Sequence, residues 1–202
     1  MEQVPALLSL ILASLVVMGS PGPSTMSLTA VGAAFGFRRS LAYATGLIVG
    51  TTAVLVAVAA GVVAMLMSVP RLAPARVGVS AAYIAYLAFR IATAPPLSRQ
   101  DPAASAPSFA GGFLLGVANP KAYLAIAAVF AGTTLAVPSR LGEALLKTAI
   151  LTIMIVVIHL VWLTAGVSLS RLLHHPVSSR IVNLLFAAIL IVTTVAAIVR
   201  GG

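Results

Sequence analysis

Three places in this 202-residue chain set polar chemistry inside apolar sequence: Gly19-Ser20-Pro21-Gly22-Pro23-Ser24, Ala118-Asn119-Pro120-Lys121, and His159 in the run VVIHLVWLTAG. Lys121 is the sharpest single residue. It lies about twelve residues into an apolar run, too deep for an ordinary end anchor. A lysine at that depth costs about 2.5–3.5 kcal/mol on insertion scales, which points it at a wet cavity rather than at lipid. A snorkelling lysine on a tilted helix is the alternative. Glu2, Asp101 and Glu143 all fall at the ends of apolar runs, so the counter-ion of Lys121 can be a substrate.

The two proline motifs carry a chemistry of their own. Each sets a capping-type residue directly before proline, as Ser20-Pro21 and Asn119-Pro120. Serine and asparagine are good N-caps, and proline is well tolerated at the first helical position. Each motif therefore reads as the end of one half-helix and the start of another. The start of a helix offers unpaired N–H groups and the positive end of its dipole, where an anion such as a carboxylate is stabilised. Freed carbonyls at the end of the preceding half-helix can accept from an ammonium group. Ser20, Pro21, Gly22, Pro23, Ser24, Asn119, Pro120 and Lys121 are thus the candidate binding residues for a small zwitterion. The simpler alternative is a pair of proline kinks in packed helices.

The elements that must position these groups follow from composition. Hydrophobic residues make up 61% of the chain and charged ones 7%, with a mean hydropathy of +1.15. A soluble domain needs more polar surface than that. Six apolar runs, at about 5–36, 41–68, 72–94, 109–136, 144–170 and 179–199, are long enough to cross about 30 Å of hydrocarbon. The expected fold is an all-α integral membrane protein of about six transmembrane helices. The opening MEQVPALL has no positive flank, so the first run reads as a retained helix and not as a secretory signal.

The only linker-like stretch is TAPPLSRQDPAASAPS, which holds Pro95, Pro96, Pro102 and Pro107. It divides the chain into a three-helix repeat at 1–94, a linker at 95–108 and a second three-helix repeat at 109–202. Each proline motif falls in the first span of its half, so helices 1 and 4 are the broken ones. An odd number of spans per half inverts the second repeat. Inverted repeats with broken helices in corresponding places point to a transporter's midplane site.

The net charge of +9 would suggest a nucleic-acid partner in a soluble protein. Here the basic residues are single or paired at the ends of apolar runs, as in Arg38-Arg39, Arg71, Arg76, Arg90 and Arg99. That is the behaviour of membrane-flanking anchors, with lipid as the partner and no nucleic acid. Six Lys/Arg on one side against five on the other leave the orientation open. Cysteine is absent, which excludes disulfides, thiol redox centres and thiolate metal sites. No metal site and no cofactor is expected. His174 and His175, beside Arg171, read as a solvated loop.

His159, with Trp162 close by, could shuttle a proton or contact substrate, or could simply bond a neighbouring helix. Gly32-xxx-Gly36, Gly46-xxx-Gly50 and Gly112-xxx-Gly116 permit close helix approach, first for packing and then for dimerisation. An intramembrane enzyme would need a base with an orienting acid. His159 is the only such base, and no carboxylate lies deep enough to orient it. A non-transporting membrane scaffold leaves the paired breaks and Lys121 without a reason.

Together these motifs resemble the LysE/RhtB family of amino-acid exporters. The resemblance rests on Gly19 to Pro23, Gly36-Phe37-Arg38 through Gly46 to Gly50, and Ala82 to Leu87. Phe109 through Gly116 followed by Asn119-Pro120-Lys121-Ala122, then Trp162 and Arg180 to Phe186, complete it. It implies a multi-pass transporter of the prokaryotic cytoplasmic (inner) membrane, not an enzyme. Such a protein exports small amino acids or related zwitterionic metabolites, driven by the proton gradient or membrane potential, and is expected as a homodimer. Pro21, Gly22, Pro23, Asn119, Pro120 and Lys121 match the family's site positions. Ser24 stands where the first motif usually has asparagine, Gly166 lies near a frequent tyrosine, and Ala187 replaces a frequent glycine. These departures bear on the substrate and not on the fold.

Overall fold

The computed structural model describes residues 3–61, 107–174 and, between and beyond them, Ala85, Phe89, 92–93, Val177, 180–181, 184–185, 187–188 and 191–192. The expected third span, most of the linker and most of the sixth span lie outside the described residues. Among the described residues all regular structure is helical, as lipid requires of a chain that must satisfy its own backbone. The helices are α1 (Gln3–Ala13), α2 (Pro23–Ala59), α3 (Phe109–Ala118), α4 (Pro120–Gly132) and α5 (Arg140–His174). A π-helical turn, Ser14–Met18, continues α1.

Helix α2 is continuous by hydrogen bonding only. At 1.5 Å per residue its length is roughly 55 Å, far more than a bilayer core. Gly36 interrupts it with φ 72° and ψ 175°, a backbone conformation that suits a residue without Cβ. Ser40 is fully buried, and its hydroxyl shares its proton between the carbonyls of Val31 (3.1 Å) and Gly36 (2.6 Å), which ties the turn together. Arg38 and Arg39 are exposed beside it. The expected boundary between the first two spans thus falls on Gly36.

Two helices, Pro23–Ala59 and Arg140–Leu169, are long and apolar enough to cross a membrane, and α3 with α4 forms a third candidate bent by 60° at its break. That is fewer than the six spans expected, because two of them lie outside the described residues and α2 holds parts of two others. The fourth span ends at Gly132 and not near 136. Thr133 turns extended, at φ −126° and ψ 141°, and Pro138 lies in the non-helical stretch that follows.

The chain forms two compact units. One comprises Met1–Ser20, Ala42–Ser68 and Ser108–Val161; the other comprises Pro21–Leu41, Val69–Pro107 and Trp162–Gly202. Each draws segments from both sides of the linker. The first has an apolar core of Leu10, Val54, Leu55, Ala122, Ile126, Val129, Leu135, Leu151 and Ile155. Leu12, Val16, Leu114, Leu145 and Val161 are exposed, as residues facing lipid are.

Glycines set the helix spacing in both units. In the first, a Cβ on Gly46 or Gly50 would sit 2.0 or 2.4 Å from the carbonyl oxygens of Phe109 and Phe113. Reciprocally, a Cβ on Gly112 would lie 2.1 Å from the oxygen of Tyr43, and one on Gly116 2.9 Å from that of Leu47. In the second, Gly32 meets the backbone of Leu163, and Gly166 that of Thr29. Both GxxxG pairs of the first unit are therefore consumed by contact within the chain. Gly32-xxx-Gly36 is not a packing pair at all, since Gly32 packs and Gly36 turns.

Gly46→Val or Gly112→Leu is expected to destabilise the folded protein by more than the roughly 1–3 kcal/mol typical of overpacking, because the obstacle is backbone. Gly132→Ala, with nothing within 4 Å of its Cβ, is expected to change stability by less than about 0.5 kcal/mol. Thermal unfolding in detergent checks both, and equal losses would contradict the packing.

Candidate functional site

The second break is the better defined. Helix α3 stops at Ala118, and Asn119 takes an extended conformation at φ −78° and ψ 105°. Its side-chain oxygen accepts from the Lys121 backbone N–H at 3.1 Å, and its carbonyl accepts from Ala122 N–H at 3.0 Å. Asn119 is the N-cap of α4 and Pro120 its first residue, as the sequence motif anticipates. Asn119 is buried and Pro120 partly so. Ala122, two residues on from Pro120, belongs to the apolar core, which holds the start of α4 in place.

The first break is built differently. The π turn ends at Met18, and Gly19 N–H donates to Ser14 O at 3.1 Å. A Cβ at Gly19 would overlap the Leu15 carbonyl oxygen, at 2.2 Å. Ser20 does not cap the next helix: its hydroxyl donates back to Val17 O at 2.8 Å. The helix starts two residues later than Ser20-Pro21 suggests, at Pro23. There Gly22 N–H donates to the Thr25 hydroxyl oxygen at 2.8 Å, the backward half of a capping box. Pro21 is partly buried, whereas Gly22, Pro23 and Ser24 are buried. Sequence reasoning missed Thr25, although a threonine three residues after the capping position is the available signal.

Lys121 joins the two breaks within the first unit. Its ammonium group donates to the carbonyl oxygen of Ser20, across 101 residues of sequence. The side chain is partly buried and so does not run out to bulk water. Ser20, Asn119, Pro120 and Lys121 thus come together in one unit. Pro21, Gly22, Pro23 and Ser24 belong to the other unit. Because Asn119 and Thr25 close the caps, Lys121 N–H, Ala122 N–H and Gly22 N–H are already used. What remains to attract an anion at α4 is its dipole and, above all, the Lys121 ammonium.

His159 is buried on α5, with Nδ1 2.7 Å from Ile155 O. Its Nε2 has no hydrogen-bond partner among the described residues. No described hydrogen bond links it to either break. An orphaned buried polar atom of this kind costs about 1–3 kcal/mol.

A second buried lysine escaped the sequence reading. Lys147 is 7% exposed, donates to the carbonyls of Phe130 and Thr133, and pairs with Glu143 at 2.7 Å. Glu143 in turn accepts from Leu135 N–H at 3.0 Å. The pair therefore closes the C-terminal end of α4, where a cation is favoured by the dipole. The i,i+4 spacing of Glu143 and Lys147 was the available signal.

The two lysines separate by role. Lys147→Ala is expected to lower the melting temperature, by leaving the carbonyls of Phe130 and Thr133 without their buried donor. Lys121→Ala is expected to fold and purify normally. Parallel thermal melts of the purified variants distinguish the two, and equal losses would show that Lys121 is also structural.

A family model described as LysE type translocator matches residues 15–201, nearly the whole chain and both breaks. Neither a curated protein nor a solved structure matches.

Proposed function

The chain belongs to the LysE type translocator family, and from that premise we propose that this integral membrane transporter exports small amino acids or related zwitterionic metabolites. The export would cross the cytoplasmic membrane of a prokaryote and be driven by the proton gradient or the membrane potential. The observation that carries this reading is the Lys121 ammonium. It sits at the 60° break between α3 and α4 and bonds the Ser20 carbonyl, two residues past the end of the other half-helix. A carbonyl and an ammonium held together in an apolar protein match the two ends of a zwitterion. The substrate's ammonium can take the Ser20 carbonyl while its carboxylate takes Lys121 and the dipole of α4.

The inverted-repeat arrangement with six spans belongs to the same reading. Its support is that the second span of each half meets, by glycine contact, part of the broken span of the other half. Residues 42–59 of α2 meet α3, and α5 meets the 23–35 segment. A homodimer would have to use other surfaces than these glycines.

The site contains no acid among the described residues to balance a second cationic group. A lysine-like side chain would enter with its charge unpaired, at a cost of several kcal/mol. Neutral, small or branched amino acids are therefore expected to be preferred over lysine and arginine, and methyl esters are expected not to compete. Competition for uptake into inside-out vesicles measures this. Esters that compete as well as the free acids, or dibasic amino acids that compete best, would refute the site. In the same assay Lys121→Ala is expected to lose transport and Lys121→Arg to retain part of it, since arginine keeps the charge without the compact ammonium. Wild-type rates in Lys121→Ala would remove Lys121 from the site.

A further inference from the structure

The bond between His159 Nδ1 and Ile155 O determines which nitrogen of the ring is chemically available. A carbonyl oxygen only accepts, so in the neutral ring the proton is on Nδ1 and the lone pair is on Nε2. That lone pair lies inside the protein, in a residue 5% exposed, without a hydrogen-bond partner among the described residues. A histidine kept for packing alone has both nitrogens satisfied, as buried polar groups generally are. The Thr51 hydroxyl is a second orphan in the same unit. Thr29, Thr133, Thr148 and Thr152 all donate to the carbonyl four residues back, and Thr51 does not. Thr51 lies one helical turn before Leu55, and His159 one turn after Ile155. Both of those apolar residues belong to the same core cluster.

The charged and titratable side chains of this unit, among the described residues, are Lys121, Arg140, Glu143, Lys147, Tyr43 and Tyr123. None of them hydrogen-bonds His159, and Glu143 and Lys147 pair with each other three turns or more away on the same helix. The imidazole is thus a base held by one nitrogen and bare at the other, on a span that is otherwise apolar around it.

We propose that His159 carries the proton that couples transport to the proton gradient, taking it up and releasing it at Nε2 while Nδ1–H stays bonded to Ile155 O. This deepens the transporter reading and rests on it. In the step, a proton from water on one side of the membrane adds to the Nε2 lone pair, giving an imidazolium with N–H at both nitrogens. The same proton leaves Nε2 to water on the other side, and no other bond forms or breaks.

Two measurements on the full-length protein test this. The first uses 15N-histidine label in nanodiscs, with H174N and H175N leaving His159 as the only histidine. The expected spectrum shows a protonated Nδ1 and an unprotonated Nε2 at high pH, and reversible protonation of Nε2 as pH falls. An Nε2–H tautomer, or a ring that never protonates while the protein stays folded, overturns the proposal. The second compares radiolabelled L-valine counterflow with uptake driven by an imposed pH gradient, in proteoliposomes of wild type and His159→Asn. Asparagine keeps an N–H for Ile155 O and has nothing to titrate. In wild type the gradient is expected to change the rate, over the pH range in which the ring titrates. In His159→Asn the gradient is expected to have no effect on the rate that remains, and a wild-type gradient response there overturns the proposal. Failure of the transporter reading would instead appear as wild-type proteoliposomes inactive in counterflow across a panel of amino acids, an outcome independent of the spectrum.

Discussion

A backbone in hydrocarbon has nothing but itself to bond with, and in this protein that constraint bears hardest at the two places where a helix stops inside an apolar run. Each interruption frees carbonyls on one side and N–H groups on the other. The chain answers several of them locally: Asn119 caps α4, Thr25 reaches back to Gly22, and the Ser20 hydroxyl returns to Val17. The carbonyl of Ser20 is answered from far away, by Lys121. The same bond that satisfies a broken backbone therefore holds a cation inside the protein. Structure and chemistry share one interaction there.

The remaining architecture serves that arrangement. Glycines at 46, 50, 112 and 116 bring backbone against backbone, so that α3, the helix leading into the second break, packs on α2 without intervening side chains. The apolar core that includes Ala122, Ile126 and Val129 holds the start of α4. Its other end is closed by Lys147 and Glu143, which return the last carbonyls to an internal partner. Helix α4 is a short helix fixed at both ends by lysines with different duties. Lys147 is held by Glu143 and by the carbonyls of Phe130 and Thr133, whereas the Lys121 ammonium donates to the Ser20 carbonyl at the other end of the helix.

Such an arrangement suits alternation between empty and loaded states. A site whose polar groups are mutually satisfied when empty avoids stranding a charge in a low-dielectric interior, and in the proposed exchange the Lys121–Ser20 bond would give way to one contact from Lys121 to the carboxylate and one from the substrate's ammonium to Ser20. The broken helices are the natural place for it. A proline at the first position of each second half-helix keeps the break where it is without further restraint.

Composition and the two proline motifs by themselves determined that this is a helical membrane protein, where its helices break, and that Lys121 is the charge to explain. The reason is that lipid tolerates few exceptions, so a lysine or an Asn-Pro inside an apolar run announces itself. The cap at Asn119 with Pro120 as the first helical residue was legible, because an N-cap is a local interaction within a few residues. The first motif was not, since a π turn and the choice of Thr25 over Ser20 as the capping side chain depend on how the preceding helix ends. Only the tertiary structure decided that the Lys121 ammonium reaches Ser20, that Lys147 is internal and structural, and that His159 offers Nε2. Each of these depends on partners or packing that spacing along the chain cannot specify. The glycines show the same division: their spacing permits close approach, but which backbone comes close, and that Gly36 turns rather than packs, is settled only when the helices meet.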